Sequence, residues 1–281
     1  MTPAPLLTLP EVIRSLQLKA KKSLGQHFLT DMHLLRSIVR CAGDLTGIHL
    51  LEIGPGPGGL TRALLESNAT SITTLEKDAR FLAALAPLIA HYPERLHLIE
   101  TDALRVSLLE QLPAPRAVIA NLPYNIGTEL IIRMLLDIAQ HGAEAWHSIT
   151  VMLQTEVAMR LCACAGDNAY GRMSVLTGWL CEASIVLDVP PSAFTPPPKV
   201  NSAVLHLRPR ANVLAPANLK TLEKVVAAAF NQRRKMLRVS LKSLGVNAQS
   251  LCDNARIDAT RRAETLSVEE FCALANALDA L

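Results

Sequence analysis

Between about residues 44 and 154, short apolar runs alternate with longer stretches whose apolar positions recur at helical spacing. Residues 48–53, 71–75, 96–99, 117–120 and 149–153 read as strands. Residues 60–66, 81–90 and 128–139 read as the helices between them. Apolar runs of that length without polar alternation predict strands covered on both faces, and the strand–helix order predicts a parallel sheet. Beyond it, residues 156–164 and 173–180 have helical spacing, while 183–189 and 203–207 read as two closing antiparallel strands of a mixed sheet. Between those strands, Pro190, Pro191, Pro196, Pro197 and Pro198 forbid a helix or a central strand and predict a stiff loop. After Arg208-Pro209-Arg210 the spacing is helical throughout, through Leu222, Val225, Val226 and Ala229 and then Leu237, Leu241 and Leu244. The expected organisation is an extension over 1–18, an α/β domain over 19–210 and a small all-helical domain over 211–281.

Composition narrows the class. Half of the 281 residues are apolar, enough for a sizeable core and too many for general disorder. Only 4% are aromatic, which argues against a broad base-stacking surface but not against a few placed rings. No run approaches the roughly 20 uncharged apolar residues of a membrane span. Residues 1–18 carry Pro3, Pro5, Pro10, Glu11 and Arg14 without the basic-then-apolar order of a secretory signal, so they read as a loose extension of a cytoplasmic protein. The six cysteines lack zinc-type spacing and read as idle or buried thiols, with no metal expected.

Formal charge is balanced over 1–210, with 18 basic and 18 acidic residues, while 211–281 holds 10 and 7 and so carries the whole excess of +3. Arg233, Arg234, Lys235, Arg238 and Lys242 form an acid-free run there, and Lys19, Lys21 and Lys22 form a second basic group. Such runs are either solvated faces or phosphate contacts, and charge alone leaves the choice open.

The candidate chemistry lies at strand ends. Glu52-Ile53-Gly54-Pro55-Gly56-Pro57-Gly58-Gly59 follows a strand and opens a helix, with Gly54, Gly56 and Gly59 in G-x-G-x-x-G spacing. Glycines there allow a tight turn and close approach to a ligand, and the helix start offers N–H donors to an anion. Glu76 closes the next strand, placed to accept ribose hydroxyls. To that point a nicotinamide dinucleotide and S-adenosylmethionine fit equally. Asp102 closes the third strand, suited to an adenine amine, and an acid-edged cleft favours the cationic cofactor. Asn121-Leu122-Pro123-Tyr124 closes the fourth. An Asn121 amide oxygen and the Pro123 carbonyl would accept the two N–H bonds of an adenine amine, and Tyr124 would stack on the base. Positioning plus electrostatics then suffices for methyl transfer.

Four segments in order carry a family resemblance: Lys22-Ser23-Leu24-Gly25-Gln26-His27-Phe28-Leu29, the glycine turn through Leu60-Thr61, Asn121-Leu122-Pro123-Tyr124, and Phe194-Thr195-Pro196-Pro197-Pro198-Lys199-Val200-Asn201-Ser202. From about residue 19 to 275 the chain resembles the small-subunit ribosomal RNA adenine dimethyltransferases, the KsgA/RsmA family. The resemblance implies a Rossmann-like class I SAM-dependent methyltransferase sheet with an all-helical C-terminal domain. It implies S-adenosylmethionine held by His27, Leu29, Gly54, Gly56, Glu76, Asp102 and Asn121. His27 stands where the family often has Asn, so its contact is by side chain or by backbone. It implies N6,N6-dimethylation of two adjacent adenosines in the 3′-terminal hairpin of small-subunit rRNA within a pre-30S particle, with Phe194 and Tyr124 covering the flipped base. Arg233, Arg234, Lys235 and Arg238 would meet rRNA phosphates, and Lys19, Lys21 and Lys22 would flank the same channel. Nothing points beyond a monomer. Three alternatives stand beside this: a macrolide-resistance methylase of 23S rRNA, a non-catalytic ribosome-assembly factor, and an NAD oxidoreductase.

Overall fold

The structure is a computed structural model that describes residues 5–20 and 25–281. Lys21, Lys22 and the Ser23-Leu24 part of the first motif lie outside the described residues. Two compact units emerge, one of residues up to 158 with 184–209, the other of 159–183 with 210–281.

The first unit is built on a sheet. β2 (His49–Ile53), β3 (Ser71–Glu76), β4 (Leu96–Glu100), β5 (Arg116–Asn121) and β6 (Ser148–Gln154) are its parallel core. β9 (Ser202–Pro209) runs antiparallel to β6, and β7 (Cys181–Val189) lies at the edge, giving the order β4-β3-β2-β5-β6-β9-β7. The central strands are buried except at a terminal residue or two, as their predominantly apolar runs without polar alternation require. The strand order reverses between β2 and β5, and such switch points open a crevice at the carboxyl ends of the strands. The helices α3 (Gly59–Leu65), α4 (Leu82–His91), α5 (Gly127–His141) and α6 (Thr155–Cys162) follow β2, β3, β5 and β6.

Two features exceed the sequence reading. The extension is not loose over its described residues. Leu9–Ser15 form a helix, α1, opened by a capping box between Thr8 and Glu11. Leu9 and Val12 are buried, Val12 packing in one cluster with Leu18, Phe28, Phe81 and Ala84. Its apolar residues were spaced for a helix, and the flanking prolines sit at or before its start. Within the stiff loop, β8 (Phe194–Thr195) pairs antiparallel with β1 (Phe28–Leu29), just before the helix α2 (Met32–Arg40).

The second unit is helical. It contains α7 (Arg172–Leu180), α8 (Leu219–Asn231), α9 (Leu237–Ser240), α10 (Ala248–Asn254) and α11 (Val268–Asp279). Residues 159–180, expected with the sheet, group here instead, and the boundary between the units falls inside β7, after Ala183. Tyr170 explains why: its hydroxyl donates to the Leu266 carbonyl at 2.9 Å, and its ring meets Phe230, which stacks on Phe271. The Trp179 indole donates to the Ala215 carbonyl at 2.7 Å. Among the described residues no helix is long and apolar enough to cross a membrane, and no cluster of metal-ligating side chains occurs.

Candidate active site

A cleft of about 1100 Å³, counting the space open to solvent, lies at the carboxyl ends of the parallel strands. The loops after β2 and β5 meet there: a Cβ built on Gly54 would stand 3.7 Å from the Pro123 ring. Gly54 and Gly56 take positive φ, +69° and +54°, which bends the turn back over the strand ends. Gly59 serves close approach instead. A Cβ on it would come within 2.9 Å of the Leu29 carbonyl oxygen and 3.1 Å of Leu9.

Every residue expected to touch the cofactor or the base lines this cleft. His27 and Leu29 come from the N-terminal segment, Gly54 and Gly56 from the β2 turn, Glu76 and Asp102 from the ends of β3 and β4. Asn121, Pro123 and Tyr124 come from the end of β5, and Phe194 from the proline loop. The four basic residues of the helical unit are a separate matter, below.

Acidic groups dominate the floor. Glu76 is buried and accepts from Gly56 N at 3.1 Å and Asp78 N at 2.8 Å, so the glycine turn hangs on its carboxylate. Burial raises the Glu76 carboxyl above its ordinary range, against those two N–H bonds. Beneath the turn, Glu52 is 1% exposed and accepts the Thr61 hydroxyl at 2.7 Å. Burial pushes the Glu52 carboxyl up to about 8 despite that bond, and Glu76 nearby adds to the rise. At the rim Asp102 accepts from Leu104 N at 3.0 Å and from Lys77 Nζ at 3.2 Å, which hold it below the ordinary carboxylate range. Asp78 is pinned by the Arg80 guanidinium and by Gln26 Nε2, at 3.1 Å, and sits lower still.

These donors and acceptors fit S-adenosylmethionine. Glu76 and Asp102 offer carboxylate acceptors of the kind that ribose hydroxyls and an adenine amine require, and the acidic walls suit a sulfonium and an ammonium.

Three expected roles need revision. The Pro123 carbonyl accepts from Ile126 N at 3.1 Å and Gly127 N at 2.9 Å, so both its lone pairs serve the start of α5. Among the described residues no N–H is bonded to the Leu122 carbonyl, one residue earlier. Phe194 is 3% exposed and belongs to the core cluster, although it also lines the cleft, its ring 6.3 Å from that of His27. Arg233 is not free for phosphate: Nε bonds Glu264 at 2.9 Å, and its two other nitrogens bond the Asn168 and Asp167 carbonyls. Arg234, Lys235 and Arg238 are exposed, as is Lys19.

Sequence reasoning passed over Ser202. It is fully buried and its hydroxyl meets the Tyr124 hydroxyl at 2.5 Å, fixing the ring beside the Asn121 turn. Its signal was its place at the end of the fourth motif. Lys77 on Asp102 left no signal beyond adjacency to Glu76.

Comparison with known proteins follows the same lines. The family model for ribosomal RNA adenine dimethylase matches residues 17–280. The chain is 53% identical over 270 residues to ribosomal RNA small subunit methyltransferase A of Sinorhizobium medicae, covering 96% of this chain and 97% of that one. The same-named protein of Agrobacterium fabrum is 52% identical over 272 residues, with 96% and 97% covered. Among solved structures, a dimethyladenosine transferase from Plasmodium falciparum superposes with a TM-score of 0.73 at 25% identity, over 88% of this chain and 96% of that one. The 23S rRNA methyltransferase ErmE gives 0.68 at 26% identity, over 90% and 99%. The Rossmann-like sheet is that of class I methyltransferases, and S-adenosylmethionine is the family's cofactor. With a matching glycine turn, strand-end acids and Asn-Leu-Pro-Tyr turn converging on one cleft, this chain belongs to the ribosomal RNA adenine dimethylases.

Proposed function

We propose that the protein dimethylates N6 of two adjacent adenosines in the 3′-terminal hairpin loop of small-subunit rRNA, acting as a monomer on a pre-30S particle in the cytoplasm. The observation that carries this reading is the Asn121–Tyr124 turn, set at the strand-order reversal directly against Gly54. The relatives more than half identical to it over nearly their full lengths bear the small-subunit name, while the 23S enzyme shares only 26% identity.

When bound, S-adenosylmethionine supplies an electrophilic methyl group on its sulfonium. The chain's own groups do the placing. Asn121 Oδ1 and the Leu122 carbonyl, rather than that of Pro123, accept the two N–H bonds of the target amine. Those bonds draw the nitrogen lone pair out of conjugation and toward the methyl. Tyr124, tethered by Ser202, covers one face of the base, and the Phe194 loop borders the other. No strong base is needed, because the amine proton becomes acidic only as the new bond forms. Arg234, Lys235 and Arg238 set the position of the rRNA through its phosphates.

The test is incubation with tritiated S-adenosylmethionine and small-subunit particles from cells lacking the modification, followed by mass spectrometry of the rRNA. Asn121→Ala and Tyr124→Ala should lose at least about 100-fold in rate while binding the cofactor within a few-fold of wild type. Labelling confined to 23S rRNA would establish the macrolide-resistance alternative. Undiminished labelling by both variants would refute the proposed geometry.

A further inference from the structure

The segment 25–29 touches three parts of the cleft at once. Gly25, at φ +63°, lies so close to the Tyr124 turn that a Cβ on it would stand 3.1 Å from Asn125 Oδ1 and 3.3 Å from Tyr124 N. Leu29 presents its carbonyl to Gly59, and β1 pairs with β8, Phe28 opposite Thr195 and Leu29 opposite Phe194. His27 sits at the junction. Its Nδ1 is 2.8 Å from the Pro196 carbonyl oxygen. Its ring lies 5.6 Å from that of Tyr124, tilted by 33°, and 6.3 Å from that of Phe194, edge-on. A carbonyl only accepts, so Nδ1 carries the hydrogen of this bond.

We infer that His27 is a positioning residue for the target base: its side chain clasps the proline loop to the Tyr124 turn and sets the gap the base enters. This rests on the reading that Tyr124 and Phe194 border the base. It parts from the expectation that the His27 side chain is a contact to the methyl donor. The imidazole is committed to Pro196 through Nδ1 and neighbours the Tyr124 and Phe194 rings. Contact of this segment with the donor then falls to its backbone. The two halves of the clasp are separable by substitution. Asparagine keeps an N–H donor for Pro196 but supplies no ring. Phenylalanine keeps a ring but supplies no donor.

The experiment uses the full chain with His27→Ala, His27→Asn and His27→Phe. It measures kcat and KM for unmethylated small-subunit particles, and Kd for S-adenosylmethionine by calorimetry. His27→Ala should lower kcat/KM for the particle by about 10-fold, as loss of one well-aligned hydrogen bond and its ring contacts implies, with cofactor Kd moved less than about 3-fold. His27→Asn and His27→Phe should each recover part of the loss. A His27→Ala variant within about 2-fold of wild type on the particle overturns the inference. So does a cofactor Kd weakened in step with the rate. Imidazole nitrogen NMR on the free wild-type protein gives a readout independent of the substrate. A protonated Nδ1 is expected, and the tautomer with its only ring hydrogen on Nε2 overturns the clasp even were the wild type inert on the particle. Inertness there, with Nδ1 protonated, would instead strike the substrate assignment.

Discussion

Glu52 offers the sharpest test of the physics beneath the glycine turn. It is a carboxyl with essentially no exposure, bonded to Thr61 and close to a second buried acid. Its folded pKa near 8 lies above the ordinary 4.5, so the folded state keeps a proton that the unfolded chain releases between those values. The stability this supplies is complete below pH 4.5 and is lost as pH climbs through about 8. At about 1.36 kcal/mol per pH unit, the gap corresponds to at most about 5 kcal/mol across that window. Glu52→Gln removes the titration while keeping an acceptor for Thr61. The two proteins should be of similar stability at pH 4.5, and the variant should be several kcal/mol more stable at pH 8.5. Urea unfolding at half-unit pH intervals measures the difference. Trp146, fully buried in the sheet unit, serves as the probe, with Trp179 of the helical unit replaced by Phe in both proteins. A difference that stays flat from pH 5 to 8.5 would refute the assignment of a protonated Glu52.

Two further outcomes follow from geometry already described. Gly59→Ala drives a methyl group against the Leu29 carbonyl and Leu9, so it should destabilise the sheet unit by about 1–3 kcal/mol in thermal unfolding and weaken cofactor binding, whereas a loss under 0.5 kcal/mol would mean the turn yields freely. Arg234→Ala combined with Lys235→Ala should weaken small-subunit rRNA binding and flatten its salt dependence by a slope of about 1.4–1.8, read by filter binding over a salt series. An unchanged slope would remove these side chains from the RNA interface.

The sheet was legible because each of its parallel strands is a short, mostly apolar run without regular polar alternation, set between helical stretches. Glu76 and Asn121 end their strands at the cleft, and Asp102 follows within two residues of its own. What the sequence hid were contacts between distant segments. Nothing in the residues 27–29 announces pairing with 194–195, since two-residue strands carry no period. The engagement of the Pro123 carbonyl depends on where α5 starts, and helix starts are the least legible feature of a chain. Arg233 looked like its basic neighbours. Only the fold brings Glu264 and the 167–168 carbonyls to it. Residues 159–180 were assigned to the sheet domain by adjacency, whereas the rings of Tyr170, Phe230 and Phe271 draw them into the helical unit.

The short helix at Leu9–Ser15 has a bearing on biosynthesis. It leaves the ribosome ahead of the residues on which its apolar side chains rest, Gly59, Phe81 and Ala84. A helix of seven residues does not hold in water unaided, so it stays unformed until some seventy further residues have emerged. A glycine turn buttressed by a helix from so far upstream is thus completed only after the nascent chain has folded back on that earlier segment.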